Sequence, residues 1–259
     1  MQKVILVTGG SRGIGAATCH HAATAGYTVA VNFHSDAEAA DTLVLALREK
    51  GVSAAAFQAD VGVEADVVKL FSRVTETFGS LDALVNSAGI AGTYMEVVEY
   101  DAAMLQALMQ TNVIGTMLCC REATRFMSNA QGGKGGAIVN VSSMAGTIGG
   151  RPGDSAYAAS KAAVDAFTAG FAKEVGAQGI RVNTVRPGVT LTDMTNSVQD
   201  NQEIRTAIEG SIAMQRVASA DEIAGPIMWL LSDEASFISG AHLNASGGGF
   251  LISGSTKKA

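Results

Sequence analysis

Val4-Ile5-Leu6-Val7-Thr8-Gly9-Gly10-Ser11-Arg12-Gly13-Ile14-Gly15 decides how the rest of this chain is read. The β-branched run from Lys3 to Thr8 predicts a buried strand, and the alanine-rich stretch that follows predicts a helix to about Ala25. Between them lies a glycine turn. The first N–H groups of a helix have no partner within it and carry the positive end of its dipole, so that end attracts an anion. Glycine lets the backbone approach a pyrophosphate without a Cβ in the way. The spacing of Gly9, Gly13 and Gly15 is G-x-x-x-G-x-G, not the commoner G-x-G-x-x-G. Ala16 follows Gly15 where a P-loop needs Lys, which removes that reading. The plain alternative is an ordinary turn between strand and helix. The order strand, glycines, helix favours a dinucleotide site, with Gly9, Ser11, Arg12, Gly13, Ile14 and Gly15 as its contacts.

Working outward, Thr28 to Asn32 predicts the second strand. Dinucleotide folds commonly carry an acid about 20 residues past the glycines to hold the ribose 2′-OH. Here Asn32 stands in that place, followed by Phe33, His34 and Ser35, with no carboxylate among them. Arg12, His34 and Ser35 could bind a 2′-phosphate. NADP(H) is therefore expected over NAD(H). Ser35-x-x-Glu38 has the form of a capping box for a helix to about Lys50. Ala54 to Gln58 predicts a third strand ending at Asp60-Val61. Asp60 suits either the adenine amino group or the cap of the next helix, Glu64 to Phe78. Ala83 to Asn86 predicts the fourth strand, followed by Ser87-Ala88-Gly89.

Strands and helices alternating in this way predict a parallel α/β sheet covered on both faces, with right-handed crossovers and hence a doubly wound order. Ligands in such sheets sit at the carboxyl ends of the strands. The glycine turn, Asn32, Asp60 and Asn86 to Gly89 all fall there. Further on, an apolar helical stretch runs from Asp101 to about Asn129 and encloses Asn112, an amide that needs a partner if it is buried. Its apolar surface is wider than one stripe, which suggests a self-association interface. Ile138 to Val141 predicts a fifth strand ending at Ser142-Ser143, and Arg181 to Arg186 a sixth ending at Pro187-Gly188, with Thr190 and Thr192 beyond. Thr192 suits a nicotinamide carboxamide. Asn196 to Met214 reads as short helices able to cover a substrate, Asp221 opens another helix, and Leu243 marks a last strand. The tail from Gly254 to Ala259 reads as frayed.

Tyr157-Ala158-Ala159-Ser160-Lys161 opens a helix whose apolar stripe is Val164, Phe167, Phe171 and Val175. Tyr157 and Lys161 share one face of it. A nearby cation favours a phenolate, so the tyrosine pKa is expected to fall toward neutrality. Ser143, fourteen residues upstream, could hold a substrate oxygen against the same phenol. Taken alone, a Y-x-x-x-K pair is common by chance and reads first as a core tyrosine beside a solvated lysine.

The composition limits the alternatives. A chain of 259 residues with 47% hydrophobic content can bury one large core. Its formal net charge of −6 argues against binding a nucleic-acid backbone. No uninterrupted apolar run approaches the roughly 20 residues of a membrane span, and none at the start is long enough for a signal peptide. Three cysteines without a C-x-x-C pair give no disulfide framework, and the four histidines lack metal-ligand spacing. A cytoplasmic protein with no structural metal is expected.

Taken together, Thr8 to Gly15, Asp60, Asn86-Ser87-Ala88-Gly89, Asn112, Ser143, Tyr157-x-x-x-Lys161 and Pro187-Gly188 resemble a short-chain dehydrogenase/reductase over essentially the whole length. Ser87 stands where many members have Asn. The resemblance implies a single seven-stranded Rossmann-type domain and a homotetramer. It implies that Tyr157 is the acid/base, that Ser143 positions the carbonyl oxygen, and that Lys161 binds the nicotinamide ribose and lowers the tyrosine pKa. Asn112 would support a water chain to Lys161. Within the family the chain looks closest to the branch of 3-oxoacyl-carrier-protein reductases and glucose dehydrogenases. Tyr94, Met95, Arg151 and Met194 are expected near the pocket. A carrier-protein substrate would call for cations at its mouth, where Lys134, Arg121 and Arg125 are weak candidates and Gln178 is neutral. The expected activity is NADP-dependent interconversion of a carbonyl and an alcohol on a small ketone, sugar or ketoester. Alternatives are a 3-oxoacyl-carrier-protein reductase, an epimerase or dehydratase, and a silent NADP-binding sensor.

Overall fold

The alternating pattern at the start of the chain sets the layers of the molecule. In β1 (Val4–Thr8) every residue is buried, yet Val4 and Leu6 join one core while Ile5 and Val7 join another. Successive side chains of a strand point to opposite faces, so a strand buried on both faces needs apolar residues throughout. The computed structural model describes residues 2–249, and the expected fraying from Gly254 onward lies outside them.

After β1 come α1 (Gly13–Thr24), β2 (Thr28–Phe33), α2 (Ala37–Glu49), β3 (Ala54–Gln58), α3 (Glu64–Phe78) and β4 (Ala83–Asn86). A composite helix follows: α4 (Ala102–Met109), a wider π-type turn (Gln110–Gly115) and α5 (Thr116–Met127). The chain continues with β5 (Gly136–Val141), α6 (Ala145–Ile148), α7 (Ser155–Val175), β6 (Ile180–Pro187), α8 (Asn196–Asp200), α9 (Gln202–Ser211), α10 (Ala220–Leu231) and β7 (His242–Ala245). The seven strands are all parallel, in the order β3-β2-β1-β4-β5-β6-β7. The doubly wound seven-stranded sheet expected from the sequence is thus the fold. One core packs residues of α3, α5 and α7 on one face of the sheet, and the other packs α1, α2 and α10 on the opposite face. The order reverses direction between β1 and β4, so the carboxyl ends of these two strands open the crevice where such sheets bind ligands.

Three local expectations are corrected. The capping box at Ser35 does not form: α2 starts at Ala37, so Asp36 is its cap and accepts from the Ala39 N–H at 3.0 Å. Asp60 does not cap α3 either. Val63 holds the cap position without a side-chain bond, and Asp60 instead tightens its own turn through the Gly62 N–H at 2.8 Å. The stretch from Ala102 to Met127 is long and apolar enough by composition to cross a bilayer, although no such run was expected. Here its Cys119, Cys120, Ala123 and Met127 are fully buried in the core beneath the sheet.

Candidate active site

The carboxyl ends of the strands enclose a cavity of about 1090 Å³. Its floor is the glycine turn, where Gly9 and Gly13 adopt φ of +60° and +53°, a region open to glycine. Gly9, Ser11, Arg12, Gly13 and Ile14 line the cavity. Gly15 does not: a Cβ there would collide with the Gly9 carbonyl, so this glycine lets the start of α1 fold against its own loop. Because the N-terminus of α1 faces the cavity, the chain offers a pyrophosphate both unpaired N–H groups and a favourable dipole. The residues therefore fit a dinucleotide.

At the far end of this floor lie Asn32, His34, Ser35, Asp60 and Val61, all on the cavity wall. The Asn32 amide is committed to the backbone. Its oxygen accepts from the Gly9 N–H at 3.2 Å, and its nitrogen donates to the carbonyls of Phe57 and Ala59 at 3.1 Å each. It ties the glycine turn to the ends of β2 and β3. Arg12 is flanked by two carboxylates, Asp36 at 3.8 Å and Asp193 at 3.5 Å. Asp36 also lines the cavity, so a carboxylate lies close to the expected 2′-phosphate position after all. It stands one residue beyond Ser35, just past the stretch that follows Asn32.

Ala88 and Gly89 line the middle of the cavity, and Asn86 sits behind them. The Asn86 amide donates to Asn140 Oδ1 at 2.9 Å, bridging β4 and β5. Asn112, at the π-type turn, is also behind the wall. Its amide clamps the Ile90 peptide from both sides, at 2.8 and 2.9 Å, and donates to Ser160 Oγ at 3.0 Å. The buried amide is thus satisfied. On the opposite wall Pro187, Gly188, Thr190 and Thr192 line the cavity. Thr192 also caps the short turn Asp193–Thr195.

The third wall brings together Ser143, Tyr157 and Lys161. Ser142 and Ser143 part here. Ser142 is buried and donates to the Lys161 carbonyl at 3.0 Å, which fastens α7 to the end of β5. Ser143 faces the phenol. Lys161 is 6% exposed, and its ammonium donates to the Val141 carbonyl at 3.0 Å and lies 5.7 Å from the centre of the Tyr157 ring. Burial pushes the Tyr157 phenol up to about 12; the Ser143 hydrogen bond pulls it down, and the negative charge of Asp154 adds to the rise. This corrects the expectation of a lowered tyrosine pKa: desolvation dominates, and the opposing pull comes from the Ser143 hydrogen bond, not from the lysine. Burial lowers Lys161 to about 8, with Asp165 holding it up. The site therefore presents a neutral phenol, a hydroxyl and a marginally charged ammonium. A phenol in that state can donate a proton to a developing alkoxide.

Of the expected pocket residues, Arg151 and Met194 line the cavity, whereas Met95 and the exposed Tyr94 do not. Met95 N–H bonds the Gly153 carbonyl at 3.2 Å, and Arg151 reaches the Tyr94 hydroxyl at 3.5 Å. The sequence reading passed over Asp154, which also lines the cavity. Its only signal was its place one helical turn before Tyr157.

With this geometry in hand, comparisons with known proteins agree on its type. A family model described as Enoyl-(Acyl carrier protein) reductase matches residues 9–249. The chain is 45% identical over 246 residues to the uncharacterized oxidoreductase YgfF of Escherichia coli (strain K12), covering 95% of this chain and 99% of that one. It is 36% identical over 255 residues to the 3-oxoacyl-[acyl-carrier-protein] reductase FabG of Staphylococcus aureus (strain Mu50), covering 97% and 99%. Among solved structures, a short chain dehydrogenase from Burkholderia cenocepacia J2315 in complex with NADP superposes with a TM-score of 0.87 at 36% identity, covering 95% of this chain and 97% of that one.

Proposed function

The chain belongs to the short-chain dehydrogenase/reductase family of oxidoreductases, and we propose that it is an NADP(H)-dependent enzyme interconverting a carbonyl and a secondary alcohol on a small ketone, sugar or ketoester. The observation that carries this is the convergence of Ser143, Tyr157 and Lys161 on the wall that faces the glycine turn. NADP(H), when bound, supplies or accepts the hydride. The chain's own residues do the rest. Gly9 to Ile14 hold the pyrophosphate through backbone N–H groups. Arg12, His34 and Ser35 take the 2′-phosphate, Asp60 and Val61 border the adenine, and Ala88, Gly89, Pro187, Gly188, Thr190 and Thr192 border the nicotinamide half. Asn32, Asn86, Asn112 and Gly15 hold these loops in place.

Ser143 and Tyr157 donate hydrogen bonds to the carbonyl oxygen, and Tyr157 gives up its proton as negative charge develops there. Lys161 contacts the nicotinamide ribose and keeps a positive potential beside the phenol. Because burial keeps Tyr157 neutral well above pH 7, the phenol enters the reduction with its proton in place. The NADP preference rests on Arg12, with Asp36 as the opposing charge.

A second reading, reduction of a 3-oxoacyl-carrier-protein, is favoured by the relationship to FabG. Two of the three candidate cations for such a partner are already engaged, Arg121 with Glu64 at 2.6 Å and Glu122 at 2.8 Å and Arg125 with Glu122 at 2.9 Å, while Lys134 forms no ion pair among the described residues. A homotetramer belongs to the proposal, supported by the exposed Met109, Ile114 and Met117 on one composite helix. So does a cytoplasmic location, consistent with Cys19, Cys119 and Cys120 as buried free thiols.

The test is a spectrophotometric panel of ketones, sugars, ketoesters and carrier-protein thioesters with NADPH and NADH. Oxidation of NADPH by small carbonyls is expected. Turnover confined to the carrier-protein thioester would establish the second reading, strong NADH preference would overturn the role of Arg12, and cofactor binding without oxidation on any carbonyl would leave a sensor.

A further inference from the structure

Asp154 holds the N-cap position of α7, where an aspartate ordinarily accepts a hydrogen bond from the second or third N–H of its helix. It does not do so here. The Ala156 N–H is taken instead by the Tyr100 hydroxyl, at 3.2 Å, from the loop before α4. A side chain from elsewhere in the chain has replaced the cap and released the carboxylate. Asp154 is half-buried on the cavity wall, one helical turn before Tyr157, and its charge is felt by the phenol. Among the described residues it has no ion-pair partner. Arg151 attracts it through space, yet burial still holds its carboxyl above the ordinary range. The half-buried carboxylate is therefore left open to a donor in the cavity.

Resting on the oxidoreductase reading above, we propose that Asp154 is a specificity-determining residue that selects carbonyl substrates carrying a hydroxyl on the carbon next to the reacting carbonyl. Asp154 and Tyr157 line the same cavity, and the phenol feels the carboxylate's charge. A carbonyl oxygen held by Tyr157 therefore places its adjacent substituent toward Asp154. A hydroxyl there donates to the carboxylate, while a methyl leaves the acceptor unpaired and further desolvated. Sites built to bond a substrate hydroxyl discriminate strongly against analogues that lack it. This favours hydroxyketones and sugar-like carbonyls over unfunctionalised acyl chains.

Two matched pairs of ketones, each exchanging methyl for hydroxyl, test this with NADPH: methyl ethyl ketone against hydroxyacetone, and ethyl sec-butyl ketone against propioin. The wild type is expected to favour the hydroxyl member in kcat/KM by about tenfold or more. Asp154→Leu should bring the ratio close to one, and Asp154→Asn should keep part of it. Tyr100→Phe is the second variant. It frees the Ala156 N–H to recruit Asp154 as a cap, so the ratio should fall although neither Asp154 nor the cavity lining is altered. A wild-type ratio at or below one, or a ratio that Asp154→Leu leaves unchanged, overturns the proposal. So does turnover of other carbonyls with none of these four, which leaves the oxidoreductase reading intact. Failure to oxidise NADPH or NADH with any carbonyl sinks that reading and the proposal with it.

Discussion

The Lys161 ammonium lies 5.7 Å from the centre of the Tyr157 ring and is spent on the Val141 carbonyl, 3.0 Å away. Lysine in this position is nearly fully buried, and its pKa drops from 10.5 to about 8. The unfolded chain therefore binds more protons than the folded one between those values. Stability rises with pH across that window, and below it the folded state carries a cost of about 3 kcal/mol. Lys161→Met should remove the cost and raise the thermal midpoint at pH 7 by a few degrees, partly offset by the freed Val141 carbonyl, while turnover is lost. The advantage should disappear toward pH 10.5. Thermal melts of both proteins across pH check this.

Tyr157→Phe keeps the ring and removes the proton. Cofactor affinity, measured by fluorescence titration, should stay within a few fold. Turnover should fall by about 10²–10⁴-fold. In the wild type Tyr157 stays protonated up to about 12, so the alkaline limb of kcat/KM for reduction should instead follow Lys161, declining above about pH 8. A limb that begins only above pH 10 would contradict that assignment.

Arg12 shares its charge with Asp36 and Asp193. Arg12→Ala should cut the ratio of NADPH to NADH efficiency by about tenfold, equivalent to roughly 1.4 kcal/mol. Asp36→Ser keeps an oxygen able to cap α2 and removes the repelling charge. That variant should move the same ratio the other way. Steady-state kinetics with both cofactors decide the point.

Asp165 and Arg186 form a largely buried pair at 2.9 Å that joins α7 to β6. Asp165 Oδ1 has no hydrogen-bond partner, and His242 Nδ1 approaches it at 3.9 Å. Arg186→Met should leave an uncompensated buried carboxylate and cost about 3–5 kcal/mol. The double variant Asp165→Leu/Arg186→Met should recover most of that. Urea denaturation of the two variants beside the wild type measures both.

Two glycine-to-alanine changes should act in opposite directions. At Gly15 the added methyl collides with the Gly9 carbonyl, so the phosphate loop must shift and NADPH should bind at least about tenfold more weakly. At Gly170, within α7, a Cβ meets nothing within 4 Å. Gly170→Ala should stabilise by about 0.5–1 kcal/mol in a denaturant titration, since glycine is the more costly residue inside a helix.

Much of the fold was legible in the chain itself. Strands buried on both faces are written as unbroken apolar runs, and a helix N-terminus after glycines is a local feature that needs no distant partner. The limits of β3, α3 and β4 could be read to the residue for this reason. The glycine turn, Ser143 and the Tyr157–Lys161 spacing are local in the same sense, so their meeting at one sheet edge followed from strand order alone. What depends on desolvation or on a partner far along the chain could not be read. The pKa of Tyr157 turns on how completely the folded walls exclude water, not on the lysine four residues on. Asn32 was expected at a ligand and is bonded to Gly9, Phe57 and Ala59. Asp36 and Asp154 are unremarkable carboxylates until α1 and α7 are placed around the cavity and Tyr100 takes over a cap. Sequence determines which chemistry a residue can offer. Only the packed structure decides what is left free to offer it, because most buried donors and acceptors are first satisfied by whatever the fold brings beside them.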